Sequence, residues 1–434
     1  MGLDWIGIAF TMISLTILLI YSYYIFFGAI GFLRNKSAPN SAPVKKFALL
    51  IPAYNEEKII VDTIRNLKAL DYPKNLYDIY VVTDTPQDLT GPAAEKEGAI
   101  SIVRTDRGAA GKGGGVAIKF GLEEVMKRKE YDACVLIDAD NLLSPNYLAK
   151  MNNELVAGEK IVQGHLRSRN PKDSWVTKTV HVDSMVRNRF HKQPRQNHKL
   201  CVFEEPGTCI TRELLEKVRY DADLITADIE YTCKLACEGI AIKWIYDADV
   251  FEEKPLTFRI AIKQWQWWML GHVAAMRRYI GKLFWRSLRN GNTVAWDCFI
   301  YLMTPIFMAI YFACFLAYTV SGSTFSLLSL FPRGMVDSTF VTLTTVINFI
   351  IGFWWVAIPL YAVRLERERV REYIYTPFTM MFMFVIQEFL FLIAVFKRGK
   401  RKTVWHTPHA VAPGTAHAEE SDKALSEPLD YSGK

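Results

Sequence analysis

Residues 5 to 33 carry no charged side chain. That is longer than the roughly 20 apolar residues a helix needs to cross a bilayer, and in hydrocarbon only a segment that satisfies its own backbone hydrogen bonds persists. The stretch therefore reads as a transmembrane helix inside an N-terminal unit of residues 1–34. A secretory signal would open on basic residues and close on a small-residue cleavage site, whereas this chain opens Met1-Gly2-Leu3-Asp4.

Two more apolar runs, about 294–320 and 338–363, are long enough to span, the first interrupted only by Asp297. A further run at 375–396 has Pro377 near its start and Gln387-Glu388 in its middle. Basic residues mark the cytoplasmic ends of membrane helices. They cluster at Arg34, Lys36, Lys45 and Lys46, at Arg364, Arg367, Arg369 and Arg371, and at 397–402. Two crossings within 291–364 keep all three clusters on the cytoplasmic side, provided that 375–396 is an interfacial or re-entrant helix and 397–434 a cytoplasmic polar tail. The rival is a fourth crossing that carries the last cluster outside. Either way the chain is expected to be an integral protein of the plasma membrane, with its soluble part in the cytoplasm.

That soluble part, residues 46–255, alternates strand-like and helix-like runs. Strands are expected at 46–53, 78–82, 100–103 and up to Asp138, with helices from about Tyr54 to Leu70, near 90–97 and over 113–128. Such alternation implies an α/β fold with a mostly parallel sheet built from right-handed crossovers. Ligands bind at the carboxyl ends of strands in open sheets of this kind. Polar groups gather there: Asn55 and Glu56 after the first strand, Asp84 after the second, and Asp138 and Asp140 after the later one. Asp138-Ala139-Asp140 presents two carboxylates one residue apart, suited to a hard divalent cation that keeps positions open for substrate phosphates.

Other patterns exclude more than they assign. The Gly-rich stretch Arg107 to Gly115 fails the P-loop pattern, because Asp106 stands where its first Gly belongs and Gly113 where its Ser or Thr belongs; a ligand loop with Lys112 at a helix start and a plain flexible turn remain open. The 7 cysteines show no Cys-x-x-Cys pair, so neither a zinc site nor a disulfide framework is indicated. A net charge of +7 without a basic stripe interleaved with aromatics suits anionic lipid and an anionic substrate rather than nucleic acid.

Six segments then carry a resemblance. Ile51 to Glu57 (Ile-Pro-Ala-Tyr-Asn-Glu-Glu), Val81 to Thr90, Gly111 to Gly115, Asp138-Ala139-Asp140, Thr226-Ala227-Asp228 and Gln264-Trp265-Gln266-Trp267-Trp268 follow the order and approximate spacing of the membrane-embedded family 2 glycosyltransferases. These are GT-A (Rossmann-like) enzymes that include the processive hyaluronan, chitin, cellulose and poly-N-acetylglucosamine synthases. The likeness covers about 46–290 motif by motif, with 256–290 as interfacial amphipathic helices. It implies a nucleotide pocket formed by Ala53, Tyr54 and Glu56, with Asp84 on the uracil base and Lys112 along the diphosphate. Asp138 would contact ribose and donor sugar, Asp140 would ligate Mg or Mn, and Asp228 would be the general base. Gly207 and Thr208 resemble the segment lining the acceptor site, Gln264, Trp267 and Trp268 the acceptor- and diphosphate-binding motif, and Trp405 a cytosolic Trp that reaches the nucleotide.

Two departures stand out. Ala227 replaces the middle Glu of the family's Thr-Glu-Asp, and Trp267 occupies the position of the Arg in its Gln-x-x-Arg-Trp. Lys263, Arg277 and Arg278 are candidate replacement cations. The arginines at 167, 169, 187, 189 and 195 are equally read as solvated surface or as an anion site. The resemblance implies inverting, metal-dependent transfer from a UDP-sugar to a growing β-linked polysaccharide, one containing N-acetylglucosamine among the candidates, coupled to its translocation through a channel made by the membrane helices. The alternatives are transfer of one sugar to a lipid acceptor and a catalytically silent nucleotide-binding scaffold.

Overall fold

A computed structural model describes residues 5–31, 37–105, 113–198, 200–201, 206–221, 223–321 and 355–397. Lys112, Trp405 and the start of the expected 338–363 span lie outside the described residues.

The soluble part is built on an eight-stranded sheet in the order β3-β2-β1-β4-β7-β6-β8-β5. Its centre is β1 (Phe47–Ala53), a near-continuous apolar run buried on both faces, as a central parallel strand should be. It pairs in parallel with β2 (Tyr77–Thr83) and β4 (Ala133–Leu136), and β2 in turn with β3 (Ile100–Val103). Each was legible from its β-branched, apolar composition. The expected mostly parallel sheet holds only for this half. Strand β7 (Thr208–Thr211) enters antiparallel between β4 and β6 (Ile161–Ser168), and the two-residue β5 (Leu142–Leu143) pairs antiparallel with β8 (Lys243–Glu252). Nothing in the local pattern of a four-residue strand reports its direction, which is decided by where the preceding helices return the chain. Because β7 runs against both neighbours and β8 runs with β6, the ends of β1, β2, β4, β6 and β8 all open on one edge.

Side chains alternate across these strands into two cores. Leu49, Ile51, Val81 and Val135 pack with α2 (Ile60–Lys68) and α5 (Tyr147–Val156). Leu50, Val82, Cys134 and Leu136 pack with α4 (Gly114–Lys127) and α9 (Ala227–Cys237). Helix α2 shows why it forms where it does: Ile60, Ile64 and Leu67 fall on one face at helical spacing and are buried. Between β2 and β3 lies α3 (Thr90–Lys96), after β6 come α6 (Trp175–Val186) and α7 (Gln193–His198), and α8 (Arg212–Lys217) follows β7. Helix α6 starts at a capping box, Ser174 Oγ accepting from Thr177 N at 3.1 Å and Thr177 Oγ1 accepting from Ser174 N at 2.9 Å.

The apolar helices follow. Helix α1 (Trp5–Gly31) packs against α11 (Thr293–Ser321) and α7. The 256–290 region is one unbroken 33-residue helix, α10 (Phe258–Asn290), about 50 Å long at 1.5 Å per residue, ended by Gly291 at φ +60°. It lies against α9, α11 and α13 (Thr376–Phe396). A shorter apolar helix, α12, spans Trp355–Leu365. Among the described residues two helices are long and apolar enough to cross a membrane, over Thr293–Cys314 and Thr376–Phe396. Asp297, the charge that interrupts the first run, is buried and bound to Arg195 of α7, with Nε–Oδ2 at 2.8 Å. Tyr23 of α1 donates to its Oδ1 at 2.6 Å and the Cys201 N–H to its Oδ2 at 3.1 Å.

Candidate active site

The cleft is set by the loop after β1. Asn55 adopts φ +57°, a left-handed conformation that Asn tolerates better than most residues, and this turns the chain sharply at the strand end. The loop is docked on the segment before α3: Asn55 N donates to Asp88 Oδ2 at 3.0 Å and Glu56 N to Thr90 Oγ1 at 2.8 Å, while Thr90 N donates to Asp88 Oδ1 at 2.9 Å. Asp88 and Thr90 are buried, so they position Tyr54 and Glu56 from beneath. Both lie inside the Val81–Thr90 motif, yet only the fold shows what they hold.

At the end of β2, Asp84 is half-buried and Arg104 NH1 donates to its Oδ1 at 2.7 Å. Arg104 is itself buried, and its N–H donates to the Thr83 carbonyl at 2.9 Å. Reading along the chain missed this partner of Asp84, because the strand pairing that brings β3 beside β2 is a tertiary fact. Arg104→Ala leaves the Asp84 carboxylate without its charged partner, and a UDP-binding titration is expected to weaken by about tenfold, the usual scale of a charge-assisted hydrogen bond.

Asp138 and Asp140 follow β4 in a tight turn closed by Asn141 N donating to the Asp138 carbonyl at 3.1 Å. Thr63 of α2 donates to the Ala139 carbonyl at 2.5 Å, and Arg169 NH1 to the Asp140 carbonyl at 3.0 Å. Burial pushes the Asp138 carboxyl well above its ordinary range, and the charges of Asp140, Glu252, Glu56 and Asp228 add to this. Glu56, the two strand-end carboxylates, the end of β8 and the first turn of α9 thus share one electrostatic neighbourhood around Asp138. The fold joins residues far apart in the chain, Glu56 and Glu252 among them.

Such a set fits a divalent cation. The negative charges around Asp138 hold its pKa up, and a hard cation relieves the repulsion. Among the described residues no three His, Cys, Asp or Glu side chains converge into a closed cage.

Asp228 sits half-buried in the first turn of α9, where the helix dipole favours a carboxylate. Ala227, the departure from Thr-Glu-Asp, is in the core with Tyr231 and Leu235, a place with no room for an unpaired Glu. Another buried carboxylate orders this turn. Glu230 Oε2 accepts from Asp223 N at 2.9 Å and Leu224 N at 2.8 Å, and its Oε1 accepts from Tyr279 of α10 at 3.3 Å. Helix α10 comes close because Gly271 has no side chain. A Cβ there would lie 2.2 Å from Thr226 Cγ2. Gly271→Val is expected to push α10 off the base-bearing turn and lower turnover without removing any polar group, which a comparison of kcat in wild type and variant measures.

The remaining expected residues separate. Ala53 ends β1 at the cleft, and Gln264, Trp267 and Trp268 are half-buried along α10. Trp265, given no role beforehand, is the aromatic of that motif in the core, packed with Val176, Val180 and Met383. Gly207 and Thr208 are not brought to the cleft surface. Thr208 is fully buried and donates to Gln163 Oε1, and Gly207, at φ +80°, lies so close to Val250 that a Cβ would sit 2.4 Å from Cγ2. They join β7 to β6 and β8, a role that their place in sequence beside a loop did not disclose. Of the arginines left open, four hold carboxylates: Arg167 with Asp249, Arg187 with Asp183, Arg189 with Glu366 and Arg195 with Asp297.

A mixed α/β sheet with acidic strand ends and long apolar helices after it is the GT-A-like fold of a glycosyltransferase. The chain belongs to the glycosyltransferase-like family 2, whose model matches residues 43–271, more than half of its length. It is 26% identical over 326 residues to a probable glycosyltransferase, YdaM, of Bacillus subtilis, covering 71% of this chain and 74% of that protein. It is 23% identical to a beta-monoglucosyldiacylglycerol synthase of Trichormus variabilis (59% of this chain, 55% of that one) and 25% identical to a poly-beta-1,6-N-acetyl-D-glucosamine synthase of Staphylococcus aureus (60% and 63%). The chain thus spans little more than half the length of these last two. Among solved structures, the mannosyltransferase PcManGT of Pyrobaculum calidifontis, in complex with GDP-Man and Mn2+, superposes with a TM-score of 0.55 at 16% identity, over 82% of this chain and 96% of that one.

Proposed function

We propose that this glycosyltransferase moves a sugar from a UDP-sugar, with inversion, onto a growing β-linked polysaccharide at the cytoplasmic face of the plasma membrane. The observation that supports the reading is that Asp228, in the first turn of α9, is near enough for its charge to act on Asp138 at the end of β4. On this reading one carboxylate serves the donor side, and the other takes a proton from an acceptor hydroxyl. As that hydroxyl oxygen bonds to the anomeric carbon, the bond to the diphosphate oxygen breaks on the opposite face and UDP leaves. Asp84, held at Oδ1 by Arg104, offers its other oxygen to an N–H of the base. Asp138 would contact the ribose and donor sugar, and Asp140 would hold Mg or Mn, which when bound supplies positive charge to the diphosphate. Gln264, Trp267 and Trp268 border the acceptor, and the membrane helices pass the growing chain through a channel.

A second reading is one-step transfer to a lipid acceptor. Trp267 in place of the motif Arg favours it, as does the likeness to glucosyldiacylglycerol synthases. A panel of UDP-sugars with Mg or Mn, scored for UDP release and product size, separates the two. A ladder of long products is expected; a lipid bearing a single sugar would replace the polymer reading, and no UDP release from any donor would leave a silent scaffold.

A further inference from the structure

A departing nucleoside diphosphate develops negative charge, and the cleft that must stabilise it is already crowded with carboxylates. Among the described residues, the other cations considered for it are committed or disfavoured. On α10, Arg278 bridges Asp223 at 3.0 Å and Glu230 at 3.2 Å, and Arg277 donates to the Val395 carbonyl. Lys263 is half-buried, and burial together with Arg259 disfavours its charged form. Lys254, buried beside the cleft, is paired with Glu252 at 2.5 Å.

Arg169 differs. It is exposed, just past the end of β6 on the same sheet edge as Asp138 and Asp140, and among the described residues it pairs with no carboxylate. Its main chain is pinned by its N–H donating to the Glu252 carbonyl at 2.8 Å, and its NH1 donates to the Asp140 carbonyl at 3.0 Å. A guanidinium carries five N–H donors in a planar fork suited to phosphate oxygens, so one anchored donor leaves the others to a ligand.

We propose that Arg169 binds the diphosphate of the nucleotide donor, standing on the Asp138–Asp140 turn as the cation that α10 does not supply. This rests on the nucleotide-sugar reading above, and its test is arranged to fail separately. The full-length protein in detergent is titrated with inorganic pyrophosphate plus Mn2+, with UDP plus Mn2+, and with uridine, in wild type, Arg169→Met, Arg169→Lys and the charge control Arg219→Met, which removes an exposed partner of Glu123.

Arg169→Met is expected to weaken pyrophosphate and UDP about tenfold or more, leaving uridine and the melting temperature unchanged, with Arg169→Lys between. The control should match wild type. Added guanidinium should restore part of the turnover lost in Arg169→Met. Equal pyrophosphate affinity in wild type and Arg169→Met overturns the proposal, as does equal weakening of uridine or a wild type that binds no pyrophosphate. A wild type that binds UDP and pyrophosphate but releases no UDP from any UDP-sugar sinks the transferase reading alone, and the pyrophosphate comparison still decides Arg169.

Discussion

Asp228→Asn is expected to slow sugar transfer on the order of 10³-fold, with KM for the donor close to wild type, because the amide keeps the shape and loses the proton acceptor. A loss of that size corresponds to about 4 kcal/mol of barrier. The change is confined to one carboxylate at a helix start, since the turn that carries it is ordered by Glu230 and by the close approach of Gly271 to Thr226. Steady-state assays of UDP release give the result directly. Unchanged turnover would remove Asp228 as the base and leave its α9 carboxylate merely complementing the helix dipole.

Arg195→Ala is expected to destabilise the fold by about 3–5 kcal/mol, the cost of leaving a buried carboxylate without its counter-ion. Both side chains of the Arg195–Asp297 pair are about 1% exposed, so solvent screens little of the loss. The effect is large against the 5–15 kcal/mol roughly typical of a domain. Asp297 also accepts from Tyr23 and from the Cys201 backbone, so its orphaned charge would loosen α1, α7 and α11 together. Thermal unfolding in detergent measures it. The double variant Arg195→Met with Asp297→Leu should recover part of the loss, since an apolar pair of similar volume carries no desolvation penalty. A melting temperature for Arg195→Ala equal to wild type would mean that the pair is structurally idle.

How much was readable beforehand depends on how local each signal is. Phe47–Ala53, Tyr77–Thr83 and Ile100–Val103 are strands because their side chains allow little else, and the expected bounds hold within about two residues. The amphipathic α2 and the long apolar α11 follow from periodicity and run length in the same way. Strand direction was not readable: β7 is too short to carry a pattern, and its antiparallel place between β4 and β6 is what buries Thr208. Asp297 looked like a flaw in a membrane span, and only the fold brings Arg195 to it. Five arginines looked alike until four of them found carboxylates.

The amino-acid sequence by itself determined the class of fold, the order of its elements and the carboxylates that end its strands, because each rests on short-range chemistry: apolar periodicity, strand ends that stop in acids, spans of bilayer length. The tertiary structure alone decided which of those carboxylates share a cleft, that Arg104 holds Asp84, that Glu230 rather than residue 227 orders the turn before Asp228, and that Arg169 faces the Asp138–Asp140 turn without a carboxylate of its own. The physical reason is distance along the chain. Electrostatics and packing act through space, and the partners they join here lie tens to more than a hundred residues apart in a sequence whose local pattern is blind to them.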